Sequence, residues 1–204
     1  PHRAARLHRN IVKLPNGKYL CQVYGCFYAD IAKAAYAPTM RKMRTVVLES
    51  EDNCRTWKYL STVAVDAGIG TEGFGEPTLT YLSKGPHAGR LLCVMRTGRA
   101  LYRSFSDDGG KTWSVYRPLE LPGLDPYAVK DWEEEFRGVR TDSPVLRLSL
   151  QGTFVDPELI QMQNGIVALA FGLRISEKLC WDHPQNPLNG NYVAFSLDGG
   201  DSFT

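Results

Sequence analysis

The sequence contains no apolar run long enough to cross a bilayer as a helix, which takes about 20 consecutive residues. No segment keeps a helical period over four turns, which argues against a helical domain. Net charge is also scarce, because 24 Lys and Arg stand against 22 Asp and Glu, a formal +2 spread evenly along the chain. That balance supplies neither the basic stripe of a nucleic-acid protein nor a polybasic membrane surface. A small molecule or a glycan is the expected partner. The five cysteines, Cys21, Cys26, Cys54, Cys93 and Cys180, are odd in number and form no C-x-x-C pair. They indicate neither a zinc site nor a complete disulfide framework. Cys21 and Cys93 lie inside apolar runs and read as buried small hydrophobes. The N-terminal Pro-His-Arg-Ala-Ala-Arg holds no apolar stretch of signal type, a point of little weight in a chain that starts without Met.

What is present is an ordinary globular composition, 204 residues with 43% hydrophobic and 23% charged positions, organised by a repeat. Ser106-Asp107-Asp108-Gly109-Gly110-Lys111-Thr112-Trp113 has the form S-x-D-x-G-x-T-W. Ser196 to Phe203 keeps the Ser, Asp and Gly and ends in Ser-Phe, while Ser50 to Trp57 has Cys54 where glycine is expected. Each reads as a hairpin in which a short Asp or Ser side chain binds backbone N–H groups. Glycine supplies a positive φ, and the last aromatic packs between sheets. These aspartates are expected to hold turns together and not to catalyse, and Cys54 predicts an altered or strained first turn.

Upstream of each hairpin lies a strand, turn, strand pattern: Ile11 to Leu20, Pro77 to Val94, and Pro157 to Leu169. Asn16-Gly17 and Asn164-Gly165 mark two of the turns, the strongest short-range hairpin signal. Each unit is then four short strands, which is a propeller blade. The predicted fold is all-β, a β-propeller of four-stranded antiparallel blades at about 1–65, 66–120 and 142–204. A closed propeller of six such blades needs roughly 300–360 residues, so the sequence reads as part of a longer chain. Two insertions interrupt the meander. Ala-rich Ile31 to Lys42 is expected to hold a short helix. Leu121 to Thr141, with Asp131-Trp132-Glu133-Glu134-Glu135, is expected to be a surface loop whose acidic run is a solvated face and not a metal site.

In an up-and-down blade the turns after the first and third strands share one face. The start of each first strand, the end of each second strand and the loop beyond it fall on the other. Those positions hold Arg9 and Asp30 in the first unit, Glu72, Glu76 and Arg96 in the second, and Asp156, Glu158 and Arg174 in the third. Arginine's planar fork grips a carboxylate through two hydrogen bonds, and neighbouring carboxylates are candidates for acid and base work. The alternative is that each arginine is a strand-end charge paired with a nearby Asp or Glu.

The succession Gly75-Glu76-Pro77-Thr78-Leu79, Arg90 to Arg96 and Ser106 to Trp113 resembles the sialidase (neuraminidase) superfamily of Asp-box, or BNR-repeat, propellers, and the resemblance runs over nearly the whole chain. It implies that Glu76 activates a tyrosine nucleophile and that Arg96 belongs to a carboxylate-binding triad. Arg9 falls where the family has the arginine of a Phe-Arg-Ile-Pro motif, although here the residues are His8-Arg9-Asn10-Ile11. Asp30 stands at the distance of the acid/base aspartate, and Arg174 is either a third triad arginine or a neutral-sugar contact. The implied reaction is retaining hydrolysis of a terminal acidic sugar with the tyrosine in a later blade, without metal or organic cofactor. A secreted or periplasmic location follows from the resemblance only. The alternatives are a propeller acting on another glycan, as glycosidase or polysaccharide lyase, or a non-catalytic glycan-binding propeller.

Overall fold

A computed structural model describes residues 2–34, 39–124, 152–174 and 187–204. They form three antiparallel sheets, with no helix among the described residues. The first sheet is β1 (His2–Lys13), β2 (Tyr19–Phe27), β3 (Arg44–Ser50) and β4 (Lys58–Ala64), paired in sequence order. The second is β5 (Gly75–Tyr81), β6 (Leu91–Arg96), β7 (Leu101–Ser106) and β8 (Arg117–Pro118), again in order. The third is β9 (Thr153–Gln161), β10 (Val167–Arg174) and β11 (Gly190–Ser196). Beyond β11, Phe195 and Thr204 exchange both backbone hydrogen bonds, the first rung of a fourth strand.

The Asn-Gly turns form as expected. Gly17 and Gly165 have φ of 86° and 91°, and the Asn16 and Asn164 side chains accept from the Lys18 and Ile166 amides at 3.1 Å. The three boxes share one geometry. The serine hydroxyl at each head accepts from the amide four residues on: Cys54 at 3.0 Å, Gly110 at 2.8 Å and Gly200 at 2.7 Å. Asp52, Asp108 and Asp198 each accept from both the amide and the hydroxyl of the residue four on, Thr56, Thr112 and Ser202. Two consecutive positions are left-handed in every box. Glycines fill them in the second and third, but Asn53 (φ 57°) and Cys54 (φ 66°) do so in the first. The degenerate box therefore keeps the turn and carries the steric cost of a Cβ there.

The sheets stack face to face, and β5 packs against both β1 and β9. The strand β6 is buried at every position, and alternation sends its side chains to two cores. Leu91, Cys93 and Met95 join Leu20, Phe74 and Leu79 against the first sheet, whereas Leu92 and Val94 join Phe154, Leu169 and Phe203 against the third. A strand covered on both faces needs no polar alternation, which is why this stretch reads as a continuous apolar run. The box aromatics cap these layers: Phe203 is buried, and Trp113 and Trp57 are partly so. The end sheets each present an exposed apolar face, with Leu7 and Ile11 on the first and Ile160, Val193 and Phe195 on the third.

Two expectations meet a different outcome. The stretch 31–42 shows no helix among its described residues. Instead Lys33 and Arg41 form an antiparallel bridge, with Ala34 and Lys42 bonded across it to Met40 and Ala32, so β-type pairing takes the amides that a helix would have used. Arg9, expected before the first strand, lies well inside β1, because that strand begins at His2 and continues through a bulge. The acidic run at 131–135 and Cys180 lie outside the described residues.

Candidate functional site

The hairpin turns and the boxes occupy one end of the sheets: Gly109 faces Leu14, Gly199 faces His87, and Lys84 Nζ donates to the Gln163 carbonyl. The opposite end is built by a device that recurs in all three inner strands. β1, β5 and β9 each break register near this end, between Leu7 and Ile11, between Gly75 and Thr78, and between Val155 and Glu158, and β1 shifts once more between His2 and Ala4. At each break stands a left-handed residue that is not glycine: Arg9 (φ 67°), Glu76 (φ 41°) and Asp156 (φ 52°). Each costs roughly 1–2 kcal/mol relative to an extended backbone. A bulge re-aims one side chain out of the pleat, and here three successive sheets re-aim a charged one.

The three meet. Arg9 Nη2 donates to Asp156 Oδ1 at 3.0 Å, and the Asp156 amide donates to Glu76 Oε2 at 3.0 Å. Arg174 Nη2 lies 3.6 Å from the second Asp156 oxygen, and Arg9 Nε lies 3.4 Å from Glu158. Glu76 Oε1 in turn accepts from Arg96 at 2.7 Å, and Arg96 reaches Glu72 at 3.2 Å. Arg96 and Glu72 are buried, whereas the Asp156 side chain is half exposed. A buried Arg96 between two glutamates is fixed in place, since removing either partner leaves charge without compensation. Neighbouring bonds hold the strands in phase: His8 Nδ1 donates to the Pro77 carbonyl at 3.1 Å, Asn10 to the Leu79 carbonyl at 3.1 Å, and the Leu159 amide to Thr78 Oγ1 at 3.0 Å.

Arg9, Glu76, Arg96 and Arg174 thus belong to one connected network with Glu72, Asp156 and Glu158. Asp30 makes its contacts elsewhere. Its oxygens take Arg44 as a two-pronged partner, Nε at 2.8 Å and Nη2 closer still, and Oδ2 also accepts from the Phe27 amide at 2.7 Å. The Arg44 hydrogen bonds, acting against burial and helped by the Phe27 amide, hold the Asp30 carboxyl below its usual range. That direction is opposite to the one a resting general acid needs. The pair nevertheless sits beside the network: Met43 pairs with Gly73, and its amide donates to the Glu72 carbonyl at 2.7 Å.

Three participants escaped the sequence reading. Arg6 lies beside the Tyr24 hydroxyl, the first cause of its raised pKa, and also feels Glu72 and Glu76. The Tyr24 ring packs on Gly75 and stands edge-on to His8 at 5.7 Å. Arg44 is the third. Strand-end bookkeeping missed Arg6 and Tyr24 because they lie in mid-strand. For these three the spacing carries no signal, whereas the aligned pair Gly75-Glu76-Pro77 and Val155-Asp156-Pro157, in which an acid precedes proline at the same place in successive repeats, marks the two bulges of β5 and β9. Among the described residues, no group of three or more His, Cys, Asp or Glu is gathered as a metal ion would require.

Sheets stacked through their innermost strands, with tight boxes at one end and re-aimed charges at the other, make this chain part of a β-propeller. No family model and no curated protein sequence matches it. Solved structures share its fold at low identity. A Hadza microbial sialidase, Hz136, is 16% identical with a TM-score of 0.61, over 99% of this chain and 37% of its own. The α-L-arabinofuranosidase Arb93A from Fusarium graminearum is 16% identical with a TM-score of 0.56, over 94% and 45%. The Penicillium chrysogenum α-L-arabinanase is 15% identical with a TM-score of 0.55, over 97% and 46%. The chain therefore spans less than half the length of each of these proteins.

Proposed function

We propose that the protein is a glycoside hydrolase and that the bulged end of the sheets is part of its sugar-binding mouth. The observation that carries this reading is the repeated left-handed bulge, which spends backbone strain in three successive blades to bring Arg9, Glu76 and Asp156 together. Strain of that kind collects at ligand clamps and active sites. The structural neighbours named as glycosidases support the same class of reaction.

Two substrate readings share this mouth. In the sialidase-type reading, Arg9, Arg96 and Arg174 hold the carboxylate of a terminal acidic sugar. Glu76 takes the proton of a tyrosine nucleophile outside these 204 residues, and Asp30 protonates the leaving oxygen. The second reading is an exo-acting glycosidase for an uncharged sugar. One contact favours it: the Asp156 carboxylate already stands between Arg9 and Arg174, so both guanidiniums have an internal anion. In either reading Glu76, tied to Arg96 and to the Asp156 amide, is the acid/base candidate, and no metal or organic cofactor takes part.

The test is a panel of fluorogenic glycosides, one sialoside and a set of neutral pentosides and hexosides, given to the intact protein and to its Glu76→Gln and Arg96→Ala variants. Cleavage of at least one substrate is expected, with kcat/KM falling by roughly 10²–10⁴ in Glu76→Gln. Arg96→Ala should lose at least as much. Wild-type activity in both variants would remove the site assignment, and inactivity of the wild type on every glycoside would leave only a binding propeller.

A further inference from the structure

We propose that Asp156 determines the substrate specificity of this mouth, by filling with a carboxylate of the protein the seat that a sugar carboxylate would take. The inference rests on the sugar-binding reading above and adds to it the chemical class of sugar admitted. An acid-sugar site needs guanidinium N–H groups that converge on one carboxylate and meet no competing anion. Arg9 and Arg174 do converge, on the two oxygens of Asp156 at 3.0 and 3.6 Å. Arg9 also has Glu158 at 3.4 Å, so a second carboxylate guards the same guanidinium.

The charges of the described residues agree. Among them Arg6, Arg9, Arg96 and Arg174 stand with Glu72, Glu76, Asp156 and Glu158, so each cation of the mouth already has a carboxylate of the protein near it. An incoming carboxylate would have to displace Asp156 into a neighbourhood that already holds Glu76 and Glu158. Like charges at such distances repel, although solvent screens part of that repulsion because Asp156 and Glu158 are partly exposed. An uncharged sugar leaves the balance untouched and finds its partners among oxygens and N–H groups already in place. The Asp156 backbone is not free to turn away: its amide is bound to Glu76, and its φ of 52° is fixed by the bulge between Val155 and Glu158.

The substitution that isolates charge is Asp156→Asn. Asparagine has the same shape and tolerates the left-handed backbone better than alanine would, and the exchange removes one negative charge from between Arg9 and Arg174. Binding of N-acetylneuraminic acid, glucuronic acid and a neutral arabino-oligosaccharide is measured by calorimetry on the wild type and on Asp156→Asn. Asp107→Asn, at the opposite end of the sheets, serves as a charge control. Affinity for the two acids is expected to rise at least tenfold in Asp156→Asn alone, with the gain shrinking in high salt and neutral-sugar affinity changing less than threefold. Asp156→Asn that binds the acids no better than the wild type overturns the inference. So does a wild type that already cleaves the sialoside and loses that activity on substitution, a result that leaves the sugar-binding reading intact. A folded wild type and variant that bind none of the three sugars remove the reading and the inference together.

Discussion

The indole nitrogen of Trp113 donates to Ser61 Oγ at 3.0 Å, and the same hydroxyl donates to the Gly110 carbonyl. One serine on the outer strand of the first sheet thereby closes the box of the second. Both bonds are largely shielded, so Ser61→Ala leaves two polar groups without their partner and is expected to lower stability by about 1–3 kcal/mol. Trp113→Phe keeps an aromatic ring but loses the donor and part of the packing, at about 1–2 kcal/mol. Because both changes remove the same bond, the double variant should be milder than their sum. Urea unfolding of the four proteins measures this, and strict additivity would show that the Trp113 to Ser61 bond contributes nothing.

The first box invites repair. Cys54 adopts φ 66° where the other two boxes have Gly110 at 90° and Gly200 at 96°. Releasing a left-handed non-glycine residue recovers roughly 1–2 kcal/mol, and the extra freedom of glycine in the unfolded chain takes back about 0.5–1. Cys54→Gly is therefore expected to raise the urea midpoint slightly, for a net stabilisation of about 0–1.5 kcal/mol. Gly110→Ala, the converse exchange, should lower it. The Cys54 result is judged against Cys54→Ser, which keeps the Cβ and should not stabilise.

Acid should loosen the boxes. Asp52 is held at about 2 by its bonds from the Thr56 hydroxyl and amide. Asp108 and Asp198 also lie at about 2, because although burial alone would raise them, the hydrogen bonds from Thr112 and Ser202 outweigh it. An unfolded Asp titrates near ~3.9, so each carboxylate binds its proton less readily in the folded state. The stability they supply is complete above about pH 4 and is lost as pH falls from there through 2. A melting temperature that is level between pH 7 and 5 and falls below 4 is the expected profile. Asp108→Asn should flatten part of that fall, and an unchanged slope in this variant would place the acid sensitivity elsewhere.

These boxes were legible in the sequence because each is local: Ser106, Asp108, Gly110 and Thr112 make their bonds to one another, and the spacing alone carries the geometry. The two-sided burial of β6 was legible as an apolar run for a similar reason. The ends of β6 and β10 at Arg96 and Arg174 followed from strand order. The bulges did not, since nothing in His8-Arg9-Asn10 distinguishes a left-handed residue from an extended one. Nor did the Asp30 to Arg44 pair, which joins the turn after β2 to the first residue of β3. Contacts such as Arg9 with Asp156, 147 positions apart, are set by the stacking of whole sheets.

The Asp30 to Arg44 pair separates two roles for Asp30. Its side chain and that of Arg44 are mostly buried, 12% and 16% exposed, and Arg44 also lies over the Phe27 ring at 4.2 Å. Arg44→Met keeps the stem and removes the cation, leaving a buried carboxylate with the Phe27 amide, and a loss of roughly 2–4 kcal/mol is expected at neutral pH. The sign with pH is definite. Without Arg44, burial pushes the Asp30 carboxyl up, so the variant regains stability as the pH is lowered toward 4 and Asp30 takes a proton, whereas the depressed carboxyl of the wild type adds stability at pH 7 and loses it in acid. If Asp30 also serves the reaction as proton donor, Arg44 must withdraw from it when substrate binds. Asp30→Asn should then slow glycosides with poor leaving groups by at least about 10²-fold and leave activated aryl glycosides far less affected. Equal slowing of both substrate types, together with a lower melting temperature, would make Asp30 a clamp for the loop after β2 and exclude it from the chemistry.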